Sequence, residues 1–267
     1  MIGIFDSGFG GLTVFKEIKR ALPKYDYIYL GDSLRSPYGG RTQETIHQFT
    51  QQAVDFLFKQ GCQLVILACN TASSEALRKL QQEWLPAHHP ERRILGVIRP
   101  LAEEAIKASR FGRIGVVGTK ATVQSKAYEK ELKHLKKEVK VYQQSAPLLV
   151  PLIEEGWLDK PETRMIIKKY LRPLKDAQID SLILGCTHYP LLMKEFKRIA
   201  GKRVNVLNAP KIVADKLVDY LNRHPEIENK LTRNGQIKYL TTNSPEHFDE
   251  LGSKFLGSPI KSAKVAL

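Results

Sequence analysis

Two short phrases in the chain place a thiol in the same local setting. Residues 64–73 read LVILACNTAS and residues 181–190 read SLILGCTHYP. In each, an aliphatic run stops at a small residue, a cysteine and polar followers: Asn70 and Thr71 after Cys69, Thr187 and His188 after Cys186. In open α/β sheets, ligands bind outside the carboxyl ends of strands. A helix starting there offers unpaired N–H groups and a partial positive charge. Those surroundings are expected to lower the pKa of each thiol and supply thiolate, and Asn70 and Thr71 would hold a carboxylate. Free cysteines are more often packed as small hydrophobes, but matched strand-end positions weaken that explanation for this pair. Cys62 lies ahead of its strand without polar partners and reads as core.

Other thiol chemistry fits less well. Cys69, Cys186 and His188 would supply three zinc ligands, yet the close CxxC or HxxxH pairs of tetrahedral sites are missing, so no metal is expected. A phosphate-binding cysteine loop wants an arginine a few residues on, and neither NTASSEA nor THYPLLM has one. A thiol–imidazole hydrolase needs one cysteine and would leave the other unexplained. Asp6 and Ser7, in the DSGFGG turn after the first apolar run, reach the same sheet edge, but the glycines fit neither the GxGxxG nor the Walker spacing. Tyr38 and Gly39 sit in a Pro-Tyr-Gly turn.

The elements that must position these groups alternate. Strands are expected at residues 2–5, 25–30, in LVILA, ILGVI, RIGVVG, VKVYQQ, DSLILG and VNVLN, and in IKYLTT near the end. Between them lie amphipathic helices at about residues 12–22, 42–60, 71–84, 124–137, 148–174 with breaks at Gly156 and Pro161, and 245–256. Gly61 is a candidate C-terminal cap. Strand–helix repetition at this spacing implies βαβ units and a mainly parallel sheet. The pattern restarts after PAHHPERR, and ILACNT aligns over ILGCTH. The expected architecture is therefore two similar doubly wound α/β domains, with the active site in the cleft between them. Residues 1–92 with 207–267 form the first and 93–206 the second.

Composition bounds the partners. The 267 residues are 42% hydrophobic, with 42 Lys and Arg against 28 Asp and Glu, a net charge of +14. Much of that charge falls on helix-like segments and reads as solvated surface, with steering of an anionic substrate as the sharper alternative. No zinc-finger spacing or aromatic-interleaved RNA motif accompanies it. No stretch approaches the roughly 20 apolar residues of a membrane span, the N-terminus lacks a signal-peptide pattern, and three cysteines do not make a disulfide framework. A cytoplasmic protein is expected.

The motifs DSGFGGLTV, SPYGGR, ACNTASS, VVGTKATVQSKAY, PLLVPLIEEG and GCTHYPLL, in this order, resemble those of glutamate racemases in the aspartate/glutamate racemase superfamily. The likeness runs nearly the whole length, and the CNTA and GCTHYP pair is its most specific part. It implies a cofactor-independent isomerase interconverting L- and D-glutamate, with D-glutamate passing into peptidoglycan. By similarity Cys69 and Cys186 are the acid/base pair, tuned by Asp6 and His188. Asp6, Ser7, Tyr38, Gly39, Asn70, Thr71, Thr187 and His188 would bind the amino acid, with Thr119, Thr122 and Glu154 as further contributors. Inversion at a carbon acid needs a base on one face and an acid on the other, which two facing thiols supply.

The likeness also implies a homodimer. Some members bind DNA gyrase, and the positive charge leaves such a contact open without supporting it. Ser145 and Asn208 depart from the family pattern, where cysteine and aspartate are frequent. The chain starts directly at its first strand, so the precursor-activated control that some members exert through an N-terminal extension is not expected.

Overall fold

A computed structural model describes all 267 residues. Ten strands form two separate, wholly parallel sheets. The strands are β1 (Ile2–Asp6), β2 (Tyr27–Gly31), β3 (Leu64–Leu67), β4 (Arg93–Gly96), β5 (Arg113–Gly118), β6 (Lys140–Ser145), β7 (Ser181–Gly185), β8 (Asn205–Val206), β9 (Ile237–Thr241) and β10 (Ser262–Lys264). The first sheet has the order β10-β9-β2-β1-β3-β4 and the second β6-β5-β7-β8. Four neighbours of the first sheet, β2-β1-β3-β4, thus repeat the order of the whole second sheet. This is the doubly wound 2-1-3-4 arrangement, whose switch point lies between the first and third strands. The central strands β1, β2, β3 and β7 are buried along their full length, as expected where helices cover both faces of a parallel sheet.

The helices that matter for the cleft are α1 (Leu12–Ala21), α2 (Gln43–Lys59), α3 (Asn70–Glu75), α4 (Ile98–Ala108), α5 (Lys120–Gln124), α6 (Ala127–Leu135), α7 (Leu149–Glu154), α8 (Pro161–Asp176), α9 (Met193–Ala200), α10 (Ala209–Arg223) and α11 (Pro245–Leu256). Local chemistry explains their limits. Thr42 caps α2 by accepting from the Thr45 N–H, and Gly61 follows it at φ +90°, a conformation that glycine takes without Cβ strain. The expected helix at 71–84 is not continuous. It breaks after Glu75 and passes through a wide π-type turn at Leu80–Trp84. The expected 124–137 helix likewise breaks at Lys126, whose φ is +55°.

The passage between sheets falls later than the expected junction at 92/93. Arg93–Gly96 pairs in register with Leu64–Leu67, so β4 belongs to the first sheet. Its partner is the preceding strand, as in any βαβ unit, and residues 86–92 are a helix end and turn within that unit. The chain crosses at Val97 instead, where α4 starts and packs on α6 and β7. At the return, Leu207 still bonds to Leu182 of the second sheet. The chain then rejoins the first unit through α10, which packs on α1, and through β9 and β10, which extend that sheet beyond β2. β10 had no counterpart in the sequence pattern. No helix is long and apolar enough to cross a membrane.

Candidate active site

The carboxyl ends of the switch-point strands of both sheets meet at one cavity. β1 delivers Ser7, β3 delivers Cys69, β5 delivers Thr119 and β7 delivers Cys186. All four line a space of about 30 Å³, together with Ser36, Tyr38, Gly39, Asn70, Thr71, Val150, Thr187 and His188. The two thiols come from different sheets and are 5% and 6% exposed. The cavity has room for little more than water, so this is a closed cleft. Among the sequence-expected residues only Asp6, Thr122 and Glu154 stand behind the wall.

The two cysteines are held differently. Cys69 is the cap residue of α3: its sulfur accepts from the Ala72 N–H at 3.4 Å and lies 3.4 Å from Ser7 Oγ. The expectation of a lowered pKa is not met. Burial, with the Asp6 carboxyl adding to it, pushes the Cys69 thiol up to about 12. A six-residue helix and one hydroxyl do not offset the loss of water around a thiolate. Cys186 is followed by a short 3₁₀ turn, Tyr189–Leu192, rather than an α-helix. Its sulfur is met by His188 Nδ1 at 3.9 Å, and the far nitrogen of that ring stands 3.0 Å from Glu154 Oε1. Burial of His188 works against its charge, but the sulfur of Cys186 and the carboxylate of Glu154 outweigh it and raise the imidazole to about 10. At neutral pH His188 is therefore an imidazolium that donates to both neighbours.

Asp6 is completely buried beneath the cavity. It accepts from the Gly8 N–H at 2.9 Å and from Thr187 Oγ1 at 3.3 Å, and burial raises its pKa while the His188 charge opposes the rise. It therefore joins the first unit to the cysteine loop of the second. Thr13 Oγ1 makes a parallel link to the Thr187 carbonyl at 2.9 Å. The tight packing explains the DSGFGG glycines: a Cβ on Gly10 would come within 2.3 Å of Thr187 Oγ1 and 2.5 Å of His188 Nδ1.

On the other side, Thr71 Oγ1 lies 2.9 Å from Thr119 Oγ1 and 3.3 Å from Thr122 Oγ1, again across the two units. Tyr38 is set by buried Asp32, which accepts from its hydroxyl at 2.5 Å and from Thr242 Oγ1 at 2.8 Å. Sequence reading passed over Asp32, although the strand-ending Gly-Asp in YIYLGD is the same kind of signal as Phe-Asp-Ser in β1. No three His, Cys, Asp or Glu side chains are grouped to hold a metal ion. The wall offers hydroxyl and amide donors, one charged imidazole and two thiols: a set suited to binding a small zwitterion and moving a proton.

The chain matches the model of the Asp/Glu/Hydantoin racemase family over residues 2–217. It is 40% identical to a glutamate racemase of Geobacter metallireducens over 97% of this chain and 93% of that protein. Its structure matches that of a glutamate racemase isoform from Bacillus anthracis with a TM-score of 0.92, at 37% identity over 100% of this chain and 97% of the other. It also matches a Francisella tularensis glutamate racemase solved with D-glutamate, with a TM-score of 0.88, at 30% identity over 99% and 97% of the two chains.

Proposed function

From the fact that the chain belongs to the Asp/Glu/Hydantoin racemase family, among its glutamate racemases, and is therefore an isomerase, we propose that it interconverts L- and D-glutamate with Cys69 and Cys186 as the two proton-transfer groups. The observation that carries this reading is that both cysteines line one cavity, each delivered by a strand of a different sheet. A base on one face of the α-carbon and an acid on the other invert it without either group having to move around the substrate.

The steps follow from the groups present. A thiolate removes the α-proton, and the thiol opposite delivers its proton to the other face of the carbanion. The buried Cys69, held protonated, is suited to the acid role in the resting site. Cys186, delivered by the opposite sheet and met by His188, is the partner group, and the two roles exchange when the reaction reverses. The α-proton is weakly acidic, so the carbanion must be stabilised by donors already in place around the α-carboxylate. Ser7, Asn70 and Thr71 are the side chains with that chemistry, the Thr187 hydroxyl being already given to Asp6. The cavity is narrow, so an amino acid bound in it would fill the space and exclude water.

The same reading has the enzyme working without a cofactor, as a cytoplasmic homodimer, and supplying D-glutamate for peptidoglycan synthesis. The test is incubation of the purified chain with L-glutamate and, separately, L-aspartate, with no cofactor added, followed by chiral chromatography. D-Glutamate should accumulate to an even ratio and aspartate should react far more slowly. Cys69→Ser and Cys186→Ser should each keep the fold and lose racemisation of D-glutamate in D₂O, followed by circular dichroism, by about 10²-fold or more. Full activity in either variant removes the two-thiol mechanism, and unchanged L-glutamate with the native chain removes the substrate.

A further inference from the structure

We infer that Tyr128, a residue outside the cavity, is the positioning residue that turns the Asn70 amide to present its NH₂ group to the substrate carboxylate. The inference rests on the racemase reading above and assigns a specific task to a residue that does not touch the cavity. Tyr128 lies on α6 in the second unit and is fully buried. Its hydroxyl donates to Asn70 Oδ1 at 2.5 Å, across the boundary to the first unit. Asn70 is itself 4% exposed and lines the cavity.

A carboxamide can face a site with either end. One end accepts and the other donates, and only the donating end suits an anionic substrate. Burial pushes the phenol far above its ordinary pKa, so its proton stays in place. A neutral phenol whose partner is the amide oxygen ties that oxygen down. The nitrogen then makes no bond to the protein and is left for the ligand. Without the phenol, both amide orientations compete, and the flipped one presents an oxygen to a carboxylate.

The ring has a second contact that fixes where its hydroxyl points. A Cβ on Gly185, the residue before Cys186, would lie 3.2 Å from Tyr128 Cε2. The ring therefore packs on the end of the strand that carries one thiol while its hydroxyl holds the residue beside the other. It reaches Asn70 across the boundary between the two units, so the amide is oriented from the unit opposite the one that carries it.

Tyr128→Phe keeps the ring and removes the bond. The expected result is a rise in KM for glutamate of about fivefold or more, with kcat changed less than threefold and a melting temperature lowered by a few degrees through the lost buried bond. The decisive measurement is the same substitution in an Asn70→Ala background, where there is no amide to orient. There Tyr128→Phe should add nothing to the KM already raised by the loss of Asn70. A KM unchanged in the single variant, or raised by the same factor in both backgrounds, overturns the inference and leaves Tyr128 a packing residue. Absence of glutamate turnover in the native chain would instead overturn the substrate reading on which this rests, which separates the two failures.

Discussion

His188 stands between Cys186 and Glu154, with Nδ1 3.9 Å from the sulfur and Nε2 3.0 Å from the carboxylate. It is thereby held protonated up to about pH 10 in the closed cleft. Its folded pKa lies above the ordinary 6.5. Its contribution to stability is thus complete below about pH 6.5 and is lost as pH rises through about 10. The melting temperature of the native chain should fall across that interval, and Glu154→Gln should flatten the fall. The same substitution should move the alkaline limb of kcat to lower pH. Superimposable pH profiles for the two proteins would show that the carboxylate has no such role.

Gly10→Ala should damage catalysis without touching substrate. The added Cβ would meet Thr187 Oγ1 and His188 Nδ1 at distances that no packed side chain tolerates, so the cysteine loop of the second unit must shift. A loss of at least tenfold in kcat/KM is expected, since small misplacements of reacting groups are costly. Activity within twofold of native would mean that the loop accommodates the methyl freely.

Thr187→Val tests the joint beneath the cavity. It removes a donor from the buried Asp6 carboxyl while keeping the side-chain shape. Leaving a buried acceptor short of a partner costs about 1–3 kcal/mol, and this should appear as a lower midpoint in urea. Thr187→Ser should recover most of it. Equal midpoints for the valine and native proteins would remove the proposed role of this bond.

Cys62 supplies the contrast to the paired thiols. It is fully buried in the core behind β3, and burial lifts its thiol to about 12. Cys62→Ala should leave racemisation within twofold of native and cost about 1–2 kcal/mol through the small cavity it creates. A large loss of activity at unchanged stability would put Cys62 into the chemistry.

The legible part of this protein was local. Alternating apolar runs and capping residues marked nine of the strands, and the expected limits of the last helix, Pro245–Leu256, coincide with the observed ones. The strand-end position of Cys69 and Cys186 was legible for the same reason: the residue that follows a buried strand lies at the carboxyl edge of the sheet whatever the rest of the chain does. The breaks at Ala76 and Lys126 were not, because helix propensity within those windows is continuous and packing of the two units overrides it.

Sequence alone was enough to establish that two thiols with polar followers end equivalent strands of a parallel α/β protein, because strand periodicity and turn chemistry are properties of neighbouring residues. Which sheet β4 joins, the charge on His188, the upward rather than downward pKa of Cys69 and the reach of Tyr128 to Asn70 depended on the folded chain. Each arises between segments far apart in sequence: pairing, desolvation and hydrogen bonding act through space, and their balance has no signature within a single stretch of residues.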